Sequence, residues 1–309
     1  MSSAMTLAKK YDILVVGGGT AGIGAAIGAR QAAGPHARIL MVESKDCLGG
    51  AATHRGVVAY CGLFTLEELP KRAIGRIWED LERRLKEIDG TTGRPVRHCG
   101  IFQALEPECL KLVLDDIVLE HHIDVLLHAT VVGARCGQGQ IVSSVELQER
   151  SGRRWIEARA FVDCSGDGDL AYHCSASTLS GNHGTVNLGS LATCFVGLDS
   201  SAKPTAASWR QAIIAAKMED PALLKVIRKN ESVLIRLPQS GHVVSFLASA
   251  TYDTRDAASI TAAEVSGRKQ AREYLKSYEN CPAMKRCISP QQVPISALGR
   301  AVTSMHHMN

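Results

Sequence analysis

The stretch that most constrains this chain is "YDILVVGGGTAGIGAAIGAR", residues 11–30. The unbroken apolar run Ile13–Val16 fits a strand buried on both faces of a parallel sheet. Gly17, Gly19 and Gly22 follow at once with G-x-G-x-x-G spacing, and Ala26 keeps the next helical turn small. The helix is expected to run to about Ala33. "RILMVES" then supplies a second strand that ends on Glu43, 21 residues after Gly22. Each part has a physical task in a dinucleotide site. The first glycine permits a tight turn, the second lets the backbone approach a pyrophosphate, and the third lets helix and strand pack closely. The helix N-terminus presents free N–H groups and a positive dipole end to the phosphates. Glu43 is placed to accept hydrogen bonds from the adenosine ribose. A lone G-x-G-x-x-G is a weak signal, and a chance glycine turn is the bland alternative. Here strand, glycines, helix, strand and acid come in the required order. A nucleotide-triphosphate loop is excluded, because no G-K-[ST] follows.

A second glycine-rich stretch, "VDCSGDGDLA" at 162–171, carries Asp163, Asp167 and Asp169. Three acids in so short a loop raise the possibility of a cation cage. Their spacing does not follow D-x-[DN]-x-[DN]-G, and no bidentate glutamate stands at the right place, so no metal ligand is assigned. The glycines are the more informative residues. In a doubly wound sheet, ligands bind at the carboxyl ends of the strands, and Gly166 lets the backbone approach one without a side chain in the way. Asp167 or Asp169 is expected to cap a short helix running to about Cys174.

Composition narrows the classes further. The 309 residues are nearly balanced in charge, with 35 basic against 31 acidic. No basic stripe interleaves with aromatics, which argues against a nucleic-acid partner. The ten cysteines include no C-x-x-C and no zinc-type pairing. They read as reduced structural thiols, and with no secretory or membrane-spanning pattern near the N-terminus the expected location is cytoplasmic.

After Glu43 comes "SKDCLGGAATHRG", with a second glycine pair, Gly49 and Gly50. A plain NAD domain has no need of this pair. The run strand–GGGxAG–helix–strand–E–xxxxxGGxAT resembles the FAD-dependent oxidoreductases with the glutathione-reductase-type fold. The resemblance continues through "HIDVLLHATVVGARCGQGQIVSSVELQERSGRRWIEARAFVDCSGDGDLA" and "SITAAEVSGRKQAREYLKSY", covering roughly residues 10–290. It implies an α/β fold: a doubly wound, parallel-sheet, Rossmann-like FAD-binding domain with a smaller, mostly β substrate or cap region. It implies FAD as cofactor and a small-molecule substrate that gives a hydride to the flavin. The FAD contacts it assigns are Gly17, Gly18, Gly19, Thr20, Ala21 and Gly22, then Glu43 and Ser44, then Gly49, Gly50 and Ala51. Val131 would meet the adenine by its backbone, and Gly166 and Asp167 would lie in the loop that returns to the FAD. No second G-x-G-x-x-G suits an NAD(P)H domain, and Cys47 lacks the partner of a disulfide reductase.

On this reading residues 1–175 form the FAD-binding domain, with a helical insertion at about 62–104 and a β-meander at about 141–162. Residues 176–255 form the substrate or cap region, and 256–309 a returning helix and a divergent tail. Apolar spacing predicts surface helices over 70–88 and 105–120 and two short helices in 205–230 broken near Pro221. Segments 191–197 and 242–248 read as strands, expected to join 141–162 in the smaller sheet over the flavin. His54 and Arg55 are the candidate chemistry residues, His54 near the flavin and Arg55 steering negative charge; a structural histidine is the bland alternative. Cys61 and His183 are weaker candidates. The ending "QQVPISALGRAVTSMHHMN" lacks the family's returning FAD segment. The alternatives are therefore a truncated, non-catalytic FAD- or nucleotide-binding remnant and a thiazole-synthase-like enzyme, which the "SGDGDLA" loop fits poorly.

Overall fold

The computed structural model describes residues 10–98, 100–179, 181, 187–196 and 205–279. The tail expected to diverge, together with His183, Cys281 and Cys287, lies outside the described residues. The chain forms two compact units. One holds the described residues up to Gly50 together with Lys111–Leu179; the other holds Ala51–Leu110 and the described residues from 181 onward.

The first unit is built on strand β1 (Lys10–Val16), helix α1 (Thr20–Ala33), strand β2 (Ile39–Val42), the greater part of helix α2 (Pro107–Glu120), strands β3 (Asp124–Leu126), β4 (Thr130–Cys136), β5 (Val142–Glu149) and β6 (Gly152–Asp163), and helix α3 (Asp169–His173). Pro107 opens α2 because a first-turn residue has no intrahelical use for the N–H that proline lacks. One six-stranded sheet runs β3-β2-β1-β6-β5-β4. The four strands from β3 to β6 are parallel, and β5 turns the edge antiparallel. Leu14, Val15, Leu40 and Met41 are fully buried, as an unbroken apolar run in the middle of a covered sheet requires.

Register fixes what matters most here. Val16 pairs with both Val42 and Asp163, and Val42 pairs with Leu126. The carboxyl ends of four parallel strands are therefore level, and their loops leave from one edge of the sheet.

Two expectations are corrected. The meander was expected to join the smaller sheet, but β5 and β6 complete the main one, because β6 takes the free edge of β1 over Lys10–Val16. Simple alternation along β5 also places Val142 out of phase with Val145 and Leu147. A register shift between the pairs Cys136–Val142 and Arg135–Ser144 leaves Ser143 unpaired, and this bulge returns Val142 to the side of the core cluster. The helix expected over 70–88 begins only at Ile77. Phe64 bridges Arg72, Arg76 sits at φ +41°, and Ile74 is 48% exposed, so the periodicity over 70–76 has no helix behind it.

Among the described residues the second unit contains three small antiparallel sheets: Ala59–Cys61 with Ile101–Ala104 and Val96–Arg97, Thr193–Phe195 with Val243–Ser245 and Leu234–Arg236, and the two-stranded Gly189–Ser190 with Ser249–Ala250. Val58, Phe102, Ile235 and Val244 belong to one core cluster that joins the first two. Helix Ala206–Glu219 starts in a reciprocal Thr205–Ser208 capping box and is followed, after Pro221, by Leu223–Val226. Helix Ala257–Glu279 packs Ala271 and Tyr274 against Trp209 and Phe195 in a second cluster. Among the described residues no helix is long and apolar enough to cross a membrane.

Candidate functional site

The loop after β1 shows why each of its glycines is needed. Gly17 turns at φ +98°, and a Cβ there would stand 2.3 Å from the carbonyl oxygen of Cys164, just beyond β6. A Cβ on Gly22 would stand 1.9 Å from the carbonyl oxygen of Gly17, so helix and strand approach closer than any side chain permits. Gly19 differs. Its φ is −72°, and a Cβ would meet only the Cα of Gly50 at an ordinary 3.7 Å. The protein itself leaves room for a side chain at Gly19, so what would exclude one lies outside the chain. Thr20 and Ala21 open α1, whose first turn has neither a side-chain cap nor an acidic residue. No residue of the helix's own first turn compensates the positive end of its dipole.

The second glycine pair docks on the first loop. The N–H of Gly49 donates to the carbonyl of Gly18 at 2.9 Å, and Gly50, at φ +58°, lies against Gly19. Glu43 ties the same loop from below. It is buried just past β2; its Oε2 accepts from the N–H of Gly18 at 2.8 Å and its Oε1 from the N–H of Lys45 and the hydroxyl of Ser44. A carboxylate has about four lone-pair positions. Three donors leave one, on Oε2, for a further hydrogen bond. The main chain of Glu43 and Lys45 also accepts from the N–H groups of Ala129 and His128, which brings the start of β4 to this edge. Val131 lies there opposite Leu147, with its side chain in the core cluster.

The 162–171 stretch lies where β6 ends, level with Val16. Its capping differs from expectation. Asp163 and Ser165, which precede the expected acids, serve the start of α3. Asp163 Oδ1 accepts from the N–H and hydroxyl of Ser165, its Oδ2 accepts from the N–H of Ala171, and Ser165 Oγ accepts from the N–H of Asp169. The N-cap position itself is Gly168 at φ +73°, which has no side chain to offer. The D-x-S spacing of Asp163 and Ser165 is the sequence signal for this Asx-type turn. Gly166 takes φ +86° with open space where a Cβ would be, and Asp167 beside it is exposed. Burial, and then the charge of Asp163, pushes the Cys164 thiol up, so it stays protonated at neutral pH. Among the described residues no group of His, Cys, Asp or Glu is arranged to hold a metal ion.

Ala51, His54 and Arg55 belong to the second unit. Ala51 lies in the 3-10 turn Gly50–Ala52, and its carbonyl accepts from the N–H of Val57 at 2.9 Å, closing the loop that carries the half-buried His54 and Arg55. Cys61 ends an edge strand and is exposed.

A family model described as FAD dependent oxidoreductase matches residues 12–294. The chain belongs to this family. FAD is its cofactor, and the glycine cradle, the uncapped helix start and the remaining lone pair of Glu43 suit the diphosphate and ribose of a dinucleotide. No curated protein matches the sequence. Among solved structures, L-proline dehydrogenase from P. horikoshii is similar at 11% identity and TM-score 0.51, with 91% of this chain and 80% of that one covered. A geranylgeranyl bacteriochlorophyll reductase-like protein from Thermoplasma acidophilum shares 15% identity at TM-score 0.48, over 91% of this chain and 65% of that one. The p-nitrophenol 4-monooxygenase PnpA from Pseudomonas putida shares 15% identity at TM-score 0.48, over 94% of this chain and 66% of that one. This chain thus spans about two thirds of the length of the last two. At such identities the likeness is one of fold.

Proposed function

We propose that this family member is an FAD-dependent oxidoreductase that takes a hydride from a small-molecule substrate. One observation carries the reading. The level carboxyl ends of β1, β2 and β6 bring the Gly17–Gly22 loop, Glu43 and the Gly166 loop to one edge of the sheet. That edge is where open α/β sheets bind nucleotides. Bound FAD supplies a two-electron acceptor at its flavin ring.

The chain's own groups divide the remaining work. The N–H groups at the start of α1, from Gly19, Thr20 and Ala21, face the diphosphate, and Gly19 lacks a Cβ so that the phosphates can come close. Glu43 receives one ribose hydroxyl on Oε2. Ser44, which donates to Oε1 at 3.2 Å, is exposed and can swing to the second hydroxyl. Gly49, Gly50 and Ala51 line the inner phosphate side, the backbone of Val131 meets the adenine, and Gly166 with Asp167 closes on the cofactor from β6. His54 and Arg55 would serve the substrate side, Arg55 as a fixed positive charge for an anionic substrate or for negative charge on the flavin.

The test is a visible spectrum of the purified protein after incubation with FAD and removal of excess. Bands near roughly 375 and 450 nm, bleached anaerobically by one member of a panel of amine and C–H donors, are expected. Colourless protein refutes the binding assignment. Tight FAD that no donor reduces refutes the hydride transfer.

A further inference from the structure

A short chain of polar side chains lies within the second unit. Lys229 Nζ donates to the hydroxyl oxygen of Ser190 at 3.0 Å and to the carbonyl of Phe246 at 3.2 Å. Ser190 Oγ stands 3.3 Å from Ser249 Oγ. Ser249 gives its own proton to the carbonyl of Leu247 at 3.2 Å, so Ser190 is the donor between the two hydroxyls. Both serines line one pocket, whose other walls include Leu191, Ile260, Ala263 and Gly267. Lys229 is half-buried, and among the described residues it forms no ion pair with a carboxylate.

These groups are held in place from both sides. The backbone N–H of Lys229 donates to the Tyr274 hydroxyl at 3.1 Å, and that hydroxyl donates to the carbonyl of Lys229 at 2.8 Å. Ser249 is tied in the same way. Its N–H donates to Gln270 Oε1 at 3.0 Å, and its carbonyl accepts from Gln270 Nε2 at 2.9 Å. Gln270 and Tyr274 are both buried and stand four residues apart, on one face of the helix Ala257–Glu279. Ser190 is the register partner of Ser249. One helix and one strand pair thus set the distance between the amine and the Ser190 hydroxyl.

We propose that Ser190 is a nucleophile that takes an acyl group from an ester or thioester of a short aliphatic acid, with Lys229 as its base. A serine hydroxyl is a weak nucleophile until an adjacent base takes its proton, and a lysine amine within hydrogen-bond reach can be that base. The bond from Ser190 Oγ to the acyl carbon forms, and the bond from that carbon to the leaving oxygen or sulfur breaks. The hydroxyl proton passes to the Lys229 amine and from there to the leaving group. No electron is gained or lost.

The surroundings fit both roles. The base must be a neutral amine, and burial pushes the Lys229 ammonium down from its ordinary value with no carboxylate to hold the charge. The apolar wall of Leu191, Ile260 and Ala263 suits a short acyl chain beside the Ser190 hydroxyl. Ser249 is a positioning residue. It keeps the Ser190 oxygen between itself and the amine.

The probe is p-nitrophenyl acetate. The purified full-length protein is incubated with it, quenched in acid at intervals, digested and analysed by mass spectrometry. A gain of about 42 Da on Ser190 is expected, on the order of 100-fold faster than on the exposed Ser151. In urea the two serines should react alike, because the fold alone brings the amine to Ser190. Lys229→Arg keeps a donor for Ser190 and Phe246 but cannot give up its proton. Acetylation of Ser190 should then fall by about 100-fold while the melting temperature stays within about 2 °C. A lysine that only ties the chain together predicts that arginine serves as well, so an arginine variant acetylated at the wild-type rate overturns the proposal. So does acetate found on Lys229 in place of Ser190, or a folded protein in which Ser190 reacts no faster than Ser151. The comparison with urea uses no variant and decides the matter even where arginine unfolds the protein.

Discussion

Gly22→Ala sets two effects of known size against each other in one substitution. Gly22 lies in the first turns of α1, where alanine is the better helix former by about 1 kcal/mol. The added methyl would stand 1.9 Å from the carbonyl oxygen of Gly17. That is more than an ångström inside ordinary contact, and the oxygen belongs to backbone held by the bond from the Gly17 N–H to Val42 at 2.7 Å. Overpacking against groups that cannot move costs about 1–3 kcal/mol, and a backbone obstacle belongs at the upper end. The clash wins, leaving a net loss of about 2 kcal/mol. At roughly 2–4 °C per kcal/mol for a unit of this size, the melting temperature should drop by about 4–8 °C. Gly28→Ala is the control. Gly28 occupies the same helix, with no atom within 4 Å of a Cβ, so the propensity gain should appear alone as a rise of about 1–4 °C. Gly19→Ala completes the set. With φ −72° and only Gly50 nearby, it should leave the apo melting temperature within about 2 °C while weakening FAD binding at least about tenfold, by the one close approach that is lost. Thermal melts of the apo protein and a fluorescence titration with FAD read all three. A Gly22→Ala protein that melts at or above wild type refutes the close-packing argument. A Gly19→Ala protein that loses stability but binds FAD normally refutes the division of roles between the two glycines.

Four further outcomes are expected. Glu43→Gln replaces one acceptor oxygen by a donor next to the buried N–H of Gly18 or Lys45, which should cost about 1–3 kcal/mol in chemical denaturation and lower FAD retention on a desalting column. Asp163→Ala removes the acceptor for Ser165 and Ala171 and should cost about 1 kcal/mol in the same assay. Arg30 donates to the carbonyls of Gly34, Ala37, His121 and His122 at distances from 2.6 to 3.0 Å, joining the ends of α1 and α2; Arg30→Ala should destabilise by about 2–4 kcal/mol, since partial exposure discounts the sum of its charged bonds. Burial pushes the hydroxyl of Tyr274 up to about 12 while it donates to the carbonyl of Lys229. Its contribution is complete below the unfolded value near 10 and is lost as pH rises towards 12, so a Tyr274→Phe protein should show a shallower loss of stability across that range.

What could be read from the sequence was local. The strand, the glycine turn, α1 and the acid at the end of β2 each follow from backbone freedom and spacing within a few residues, and the fold class followed from their order. What could not be read depended on partners distant in sequence. Alternation along 141–162 identifies strands but cannot say which sheet receives them; the open edge of β1 decided that. Helical spacing over 70–76 ignored the backbone at Arg76, where φ is +41°. The cap of α3 was assigned to the acids nearest the helix. A side chain must reach back over the first turn, however, and Asp163 does so from the fixed end of β6 whereas Asp169 is already inside the helix. The docking of Gly49 on Gly18 was visible as composition but not as a hydrogen bond.

The central place of β6 has a consequence for biosynthesis. Ile13 pairs with Ala160, so one edge of β1 waits for roughly 150 residues of translation before its partner exists. At about 5–20 residues per second that is some 7–30 s. Throughout that time an apolar strand already paired with β2 offers an unprotected ladder to any other nascent chain. Slow ribosomes or a scarcity of chaperones should therefore harm the yield of this protein more than its final stability would suggest.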